Sequence, residues 1–138
     1  MGDARLAARR WADAWTRGWE ALDIEPILAC YAPDALLSTA PFREPYRGIA
    51  GVREYVAGAL AAEADPRVWM AEPIVDGDRA SISWWASLRE DGAAATLAGT
   101  SVLRFDANGQ VVEQWDSWHQ RPERGEPPAW SPFPASSS

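Results

Sequence analysis

The stretch VVEQWDSWHQ, residues 111–120, gathers residue types that acid–base chemistry uses. Asp116 lies between Trp115 and Trp118, and the chain's single histidine, His119, follows it by three positions. A carboxylate and an imidazole among aromatic walls would make a proton-transfer dyad. Strand geometry separates them, because successive side chains point to opposite faces. Gln114, Asp116 and Trp118 share one face; Glu113, Trp115, Ser117 and His119 share the other. Only a bulge near Ser117 would reunite the pair. The parity leaves Asp116 as the candidate general acid or base and His119 as a strand-end or interface residue. Desolvation by indoles would raise the Asp116 pKa toward a useful range. The competing reading has Asp116 accept an indole or backbone N–H and fix a wall.

The elements that must position this acid follow from periodicity. Residues 3–17 read as a helix, with Asp3 as N-cap, Gly18 as C′ residue, and Ala7, Trp11, Ala14 and Trp15 as its buried stripe. A shorter helix fits 24–31, with Asp23 as N-cap and Pro26 in its first turn. A turn at Pro33–Asp34 leads into a strand near 35–39, and PFREPYRG (41–48) is irregular. A third helix covers 49–62, with Ile49, Val52, Val56 and Leu60 on one side. From about 67 to 119, four strand-like runs are separated by DGD (76–78), EDG (90–92) and DANG (106–109), which are hairpin signals. Helices followed by an antiparallel meander predict an α+β domain with helices on one face of the sheet. The domain spans 1–120. The tail, 121–138, is Pro-rich, ends in SSS and is expected to be extended and partly disordered, with Trp130 and Phe133 able to dock back.

The 138 residues suffice for one core, and nine tryptophans must dominate that core, a ligand cavity or an interface. A net charge of −7 without a dense Lys/Arg run argues against nucleic acid; Arg5, Arg9 and Arg10 read as a solvated helix face. The one cysteine, Cys30, excludes an internal disulfide and reads as buried and inert in a helical run. One histidine and scattered acids make no metal ligand set, and no phosphate-cradling glycine loop is present, so no cofactor is expected. Without a signal-peptide core or a long apolar span, a cytoplasmic protein with no membrane partner is expected.

Three strings, LACYAPDALLS (28–38), YRGIAGVREYV (46–56) and VLRFDANGQVVEQWDSW (102–118), resemble the SnoaL-like branch of the nuclear transport factor 2-like superfamily, over about residues 5–120. The resemblance implies a cystatin-like cone in which three N-terminal helices pack on a strongly curved antiparallel sheet enclosing a pocket. The first and third helices would close that pocket, the Gln114 face would line it, and the outer sheet face would form a homodimer. The superfamily's ketosteroid isomerase positions fall here on Thr39, Trp11 and Ser101, none of which replaces the original acid, base or phenol. Its epoxide hydrolase positions fall on Asp116, Trp84 and Ala86, keeping one of three. Scytalone dehydratase needs two histidines. Cyclases of the SnoaL type need one pocket acid, a role open to Asp116.

The resulting expectation is a small-molecule pocket protein: a cofactor-independent cyclase, isomerase or lyase acting on an apolar or aromatic, polyketide-like metabolite through Asp116. Trp11, Trp15, Thr39, Tyr55, Trp84, Ser101, Gln114 and Trp118 are the expected substrate-binding residues. The alternative is a non-catalytic binding or dimerisation module with the same pocket. Trp85 and Trp115 are expected at an interface, and Trp19, Trp69 and Trp130 in ordinary core. Arg43, Glu44 and Arg47 either flank the pocket mouth or are solvated loop charges.

Overall fold

The computed structural model describes residues 3–134. In chain order the elements are α1 (Ala4–Ala21), α2 (Glu25–Leu28), β1 (Tyr31–Ser38), β2 (Tyr46–Arg47), α3 (Gly48–Ala61), β3 (Glu63–Met70), β4 (Ile74–Asp76), β5 (Arg79–Glu90), β6 (Ala93–Phe105) and β7 (Val111–Arg121). The strands form one seven-stranded sheet in the order β2-β1-β7-β6-β5-β3, with β4 paired to β5. The expected α+β class is correct, but the sheet is mixed rather than antiparallel: β1 pairs with β7 in parallel. Parallel neighbours need a long crossover, and here α3 and the whole meander lie between them.

Asp3 caps α1 as expected, its Oδ1 accepting the N–H groups of Arg5 at 2.9 Å and Leu6 at 3.3 Å. The helix does not stop at Gly18. It continues to Ala21 and ends on Leu22 in the left-handed conformation. Gly18 serves packing instead, since a Cβ there would lie 2.7 Å from both the Asp23 carbonyl oxygen and Ile27 Cγ1. That close approach brings α2 onto α1. The second helix is only Glu25–Leu28, so Cys30 lies beyond it; it is buried, and desolvation pushes its thiol up to about 11. Pro33–Asp34 is not a turn but part of β1, at a register shift between Tyr31 and Leu36.

The hairpin signals hold. Asp91-Gly92, both at positive φ, joins β5 to β6, and Gly77-Asp78 joins β4 to β5. Asp106 Oδ1 accepts the N–H groups of Asn108 and Gln110 in the β6–β7 turn. The first strand-like run divides into β3 and β4, and β3 begins at Glu63, directly after α3. Its Pro66 sits at a register shift between Ala64 and Arg67, where a missing N–H is tolerated. Gly99, paired with Trp118, has no room for a side chain: a Cβ would lie 2.3 Å from the Ser117 carbonyl oxygen. That approach presses β6 against β7 beside the site.

The core lies between α1, α3 and the inner sheet face, with Ile27, Leu37, Val52, Val56, Ile82, Leu88, Leu103 and Val111 buried. The C-terminal segment crosses the outer face of β5. Trp85 Nε1 donates to the Gly125 carbonyl at 2.7 Å, Arg124 Nε donates to Ser87 Oγ at 3.0 Å, and the Phe133 ring lies 6.2 Å from Trp85. Trp69 is buried, but Trp130 is 86% exposed, not core. The expectation for the SSS end lies outside the described residues. Among those described, no helix is long and apolar enough to cross a membrane.

Two glycines predict stability changes of opposite sign. Gly18→Ala forces α2 away from α1 and should destabilise by about 1–3 kcal/mol. Gly58, inside α3 with no atom within 4 Å of a Cβ, should gain up to about 1 kcal/mol as alanine. Urea titration of both variants checks the signs.

Candidate active site

The site is built where α1, α3 and the concave sheet face meet. Trp11, Trp15 and Trp19 recur every fourth residue of α1 and form a ladder down its inner side. Ring centroids are 5.9 Å apart for the first pair and 5.8 Å for the second, and Trp84 of β5 continues the series 5.8 Å from Trp19. With Tyr55, Met70, Leu97 and Trp118 they wall a cavity whose polar floor is Ser101, Gln114 and Asp116 and whose further polar group is Glu63. The space open to water-sized molecules is about 70 Å³, above the threshold for holding water. Trp15 and Trp118 remain partly exposed at its margin.

Strand parity sorts β7 as expected. Register with β6 is continuous from Glu113 to Arg121, so there is no bulge at Ser117. Asp116 is 6% exposed and faces the cavity, whereas His119 is exposed on the other face.

The hydrogen bonds around Asp116 run one way. Trp11 Nε1 and Trp15 Nε1 donate to Tyr31 Oη at 3.2 and 3.1 Å. Tyr31 spends its single proton on Gln114 Oε1, which also accepts from Trp11 Nε1 at 3.3 Å. Indole N–H groups only donate, so the amide oxygen must face Trp11 and the amide nitrogen must face Asp116. Gln114 Nε2 accordingly donates to Asp116 Oδ1 at 3.0 Å and Oδ2 at 3.3 Å. On the other side Trp84 Nε1 donates to Ser101 Oγ at 3.0 Å, and Ser101 donates to Asp116 Oδ1 at 2.6 Å. No buried side-chain nitrogen or oxygen among the described residues lacks a partner.

Burial pushes the Asp116 carboxyl up to about 6, against the opposing pull of the Ser101 and Gln114 donors. Burial also holds the Tyr31 and Tyr55 hydroxyls well above the usual phenol range. Glu63, from the start of β3, is the second raised acid. Burial carries it to about 7, opposed by Trp19 Nε1, which donates to its Oε1 at 2.5 Å, and aided by the neighbouring Glu90 charge.

Of the expected binding residues, Trp11, Trp15, Tyr55, Trp84, Ser101, Gln114 and Trp118 line this cavity together with Asp116. Thr39 does not: it is buried in the bend after β1, outside the cavity wall. Arg43, Glu44 and Arg47 are not at the cavity; Arg43 belongs to a separate groove on the outer sheet face, with Arg79, Arg104 and Trp115. Trp85 is covered by the chain's own C-terminal segment rather than left free. Trp19 is cavity wall as well as core, which its four-residue spacing after Trp15 could have signalled. Glu63 carried no such signal, since it fell between the expected third helix, ending at 62, and the first strand-like run, beginning near 67. Among the described residues, no group of three or more His, Cys, Asp or Glu is placed to hold a metal ion.

The two raised carboxyls give a pH dependence of stability. Both have folded-state values above their ordinary ones, so the folded chain holds their protons longer than the unfolded chain. Stability is highest below about pH 4 for these groups and falls as pH rises through the window to about 6–7. Asp116, the more buried, should account for about 3 kcal/mol. Asp116→Asn should therefore gain roughly that much on the wild type between about pH 4 and 8. Denaturant melts across the range test this, and a pH-independent difference rejects it.

A family model described as the SnoaL-like domain matches residues 8–114. No curated protein sequence matches the chain. Among solved structures, the epoxide hydrolase/cyclase-like enzyme SalBIII of pyran ring formation in salinomycin superposes with a TM-score of 0.74 at 15% identity, covering 86% of this chain and 95% of that one. An NTF2-like protein of unknown function from Exiguobacterium sp. 255-15 gives 0.68 at 18% identity, over 79% and 98%. A putative polyketide cyclase from Sinorhizobium meliloti gives 0.61 at 20%, over 78% and 93%. At these identities the structures establish the fold, and the model match over most of the chain establishes the family: this protein belongs to the SnoaL-like domain family and has the NTF2-like fold.

Proposed function

We propose that the protein is a cofactor-independent cyclase, isomerase or lyase that moves a proton on an apolar or aromatic, polyketide-like metabolite, with Asp116 as the acid–base group. The observation that carries this reading is a buried carboxylate on an aromatic-walled floor, held by donors that all point toward it. Such an acid is costly to bury, and perturbed carboxylates concentrate at functional sites. Its value of about 6 leaves it ionised near neutral pH yet easily protonated, as a proton shuttle requires. The titles of SalBIII and of the Sinorhizobium meliloti protein add analogy in the same direction. The apolar walls select the substrate class by burial of apolar surface.

One observation favours a non-catalytic binding module: about 70 Å³ is far below the 300 Å³ or so at which ligand pockets usually begin. On the catalytic reading, Trp15 and Trp118 swing aside to admit substrate. Asp116→Asn decides between them. It should lower turnover by about 10²–10⁴-fold with no loss of melting temperature at neutral pH. A ligand recovered chemically unchanged from the wild type would reject catalysis.

The outer face of β6 and β7 we assign to a homodimer. Val102 and Trp115 are register partners there and are 40% and 53% exposed, the kind of aromatic patch enriched at interfaces. Trp115→Arg should convert a dimer to monomer in sedimentation, while a monomeric wild type sinks the assignment.

A further inference from the structure

The C-terminal segment is held on the sheet face opposite the cavity by four consecutive residues, each with its own partner. Alternation defines that face. Val68 is core and Met70 lines the cavity, so Arg67 and Trp69 of β3 point the other way. Their register partners are Ser87 and Trp85 of β5, and Ser87 in turn faces Thr96 of β6. Ser87 and Thr96 are hydroxyls on an outer face, yet they are only 5% and 3% exposed. The segment bonds to both. Thr96 Oγ1 donates to the Glu123 carbonyl at 2.5 Å. Arg124 donates from Nε to Ser87 Oγ at 3.0 Å, and from Nη2 to the carbonyls of Ser87 at 3.0 Å and Asp65 at 2.6 Å. The Gly125 carbonyl accepts from Trp85 Nε1 at 2.7 Å, and Glu126 lies 4.0 Å from the Arg67 guanidinium.

Two features mark this strip as a recognition site rather than a chance contact. Among the described residues, every hydrogen bond of the Arg124 side chain goes to a neutral oxygen. The guanidinium is therefore read by the directions of its N–H groups, which a lysine cannot reproduce. The Asp65 carbonyl, in turn, is presented at a backbone cost. Asp65 has a φ of 52° within the register shift between Ala64 and Arg67, a conformation that non-glycine residues rarely adopt and that concentrates at ligand clamps. The hinge is short as well. Arg121 is the register partner of Thr96, and Glu123 returns its carbonyl to the hydroxyl of the same Thr96, so only Pro122 separates strand from docked segment. A hinge this short favours exchange of the segment between copies.

We propose that the outer strip of β3, β5 and β6 is a recognition site for an extended Arg-Gly segment, filled in cis by residues 123–126, and that its partner in trans is the same segment of a second copy. The identical sequence lets a second copy meet every donor and acceptor that is met in cis. The tethered segment acts at an effective concentration of about millimolar, so it masks the strip until it lifts. None of these contacts involves Val102 or Trp115, so the strip is separate from the dimer patch assigned above.

The test uses two full-length variants. Arg124→Ala leaves the strip without its own segment, and Ser87→Arg fills the guanidinium seat and leaves an intact segment undocked. Fluorescently labelled Arg124→Ala is titrated with Ser87→Arg or with wild type and followed by anisotropy. Ser87→Arg should bind at least about 10-fold more tightly than wild type, whose segment is docked on itself. A dimer through β6 and β7 contributes equally to both titrations, so its presence or absence leaves the comparison intact. Equal titrations overturn the proposal. A labelled peptide of residues 120–134 should also bind Arg124→Ala, and its Arg124→Lys form should bind about 10-fold more weakly. Equal binding of the two peptides overturns the recognition site. Should either variant fail to fold, the same peptides titrated with millimolar wild type decide it, and no preference for arginine overturns the proposal.

Discussion

The directed hydrogen bonding of Asp116 is the constraint to which the rest of the chain is fitted. A carboxylate removed from water loses more free energy than most single contacts return, and only fixed donors offset this. Here the donors come from five elements: indoles of α1, a phenol of β1, an indole of β5, a hydroxyl of β6 and an amide of β7. Each link has one possible direction, because indoles cannot accept and a hydroxyl has one proton to give. The network converges because the curled sheet brings β1, β7, β6 and β5, neighbours in that order, against the middle of α1. At Gly99, β6 and β7 approach too closely to leave room for a side chain.

The same cavity shows how little is required to make two carboxyls unlike. Asp116 and Glu63 are both buried, at 6% and 8% exposure, and burial raises both above the ordinary carboxyl range. Their hydrogen bonding differs: Asp116 accepts from Ser101 and twice from Gln114, and Glu63 accepts once, from Trp19. The arrangement also confines polarity to two regions of an otherwise apolar wall.

Much of this was legible from residue order, and the failures have definite causes. Period-two alternation separated Asp116 from His119 correctly, because β7 carries no bulge that would reset the parity. Asp-Gly steps marked their hairpins because positive φ there is a local property. Gly18 misled because a glycine near a helix end reads as a cap, whereas its role is set by α2, a tertiary neighbour invisible to local pattern. Pro66 hid the beginning of β3, and with it Glu63, because proline argues against a strand unless a bulge accommodates it. The parallel β1–β7 pairing depends on a crossover of more than seventy residues, for which no local signal exists. Trp85 looked available for a partner because nothing in its neighbourhood announces that Gly125 and Phe133 return to cover it.

The tryptophan content acquires an electrostatic meaning from this arrangement. Five of the nine line the cavity, and four of those, Trp11, Trp15, Trp19 and Trp84, use their N–H groups to solvate the polar residues of the site. Phenylalanine would fill comparable space but would leave Tyr31, Ser101 and Glu63 short of donors. Leucine would lose the flat faces as well. An indole supplies a large apolar surface and one aimed proton from a side chain with only two rotatable bonds. The walls therefore hold the acids in place with the same atoms that exclude water from them. A site built this way keeps its carboxyls shielded from water only while the rings stay packed.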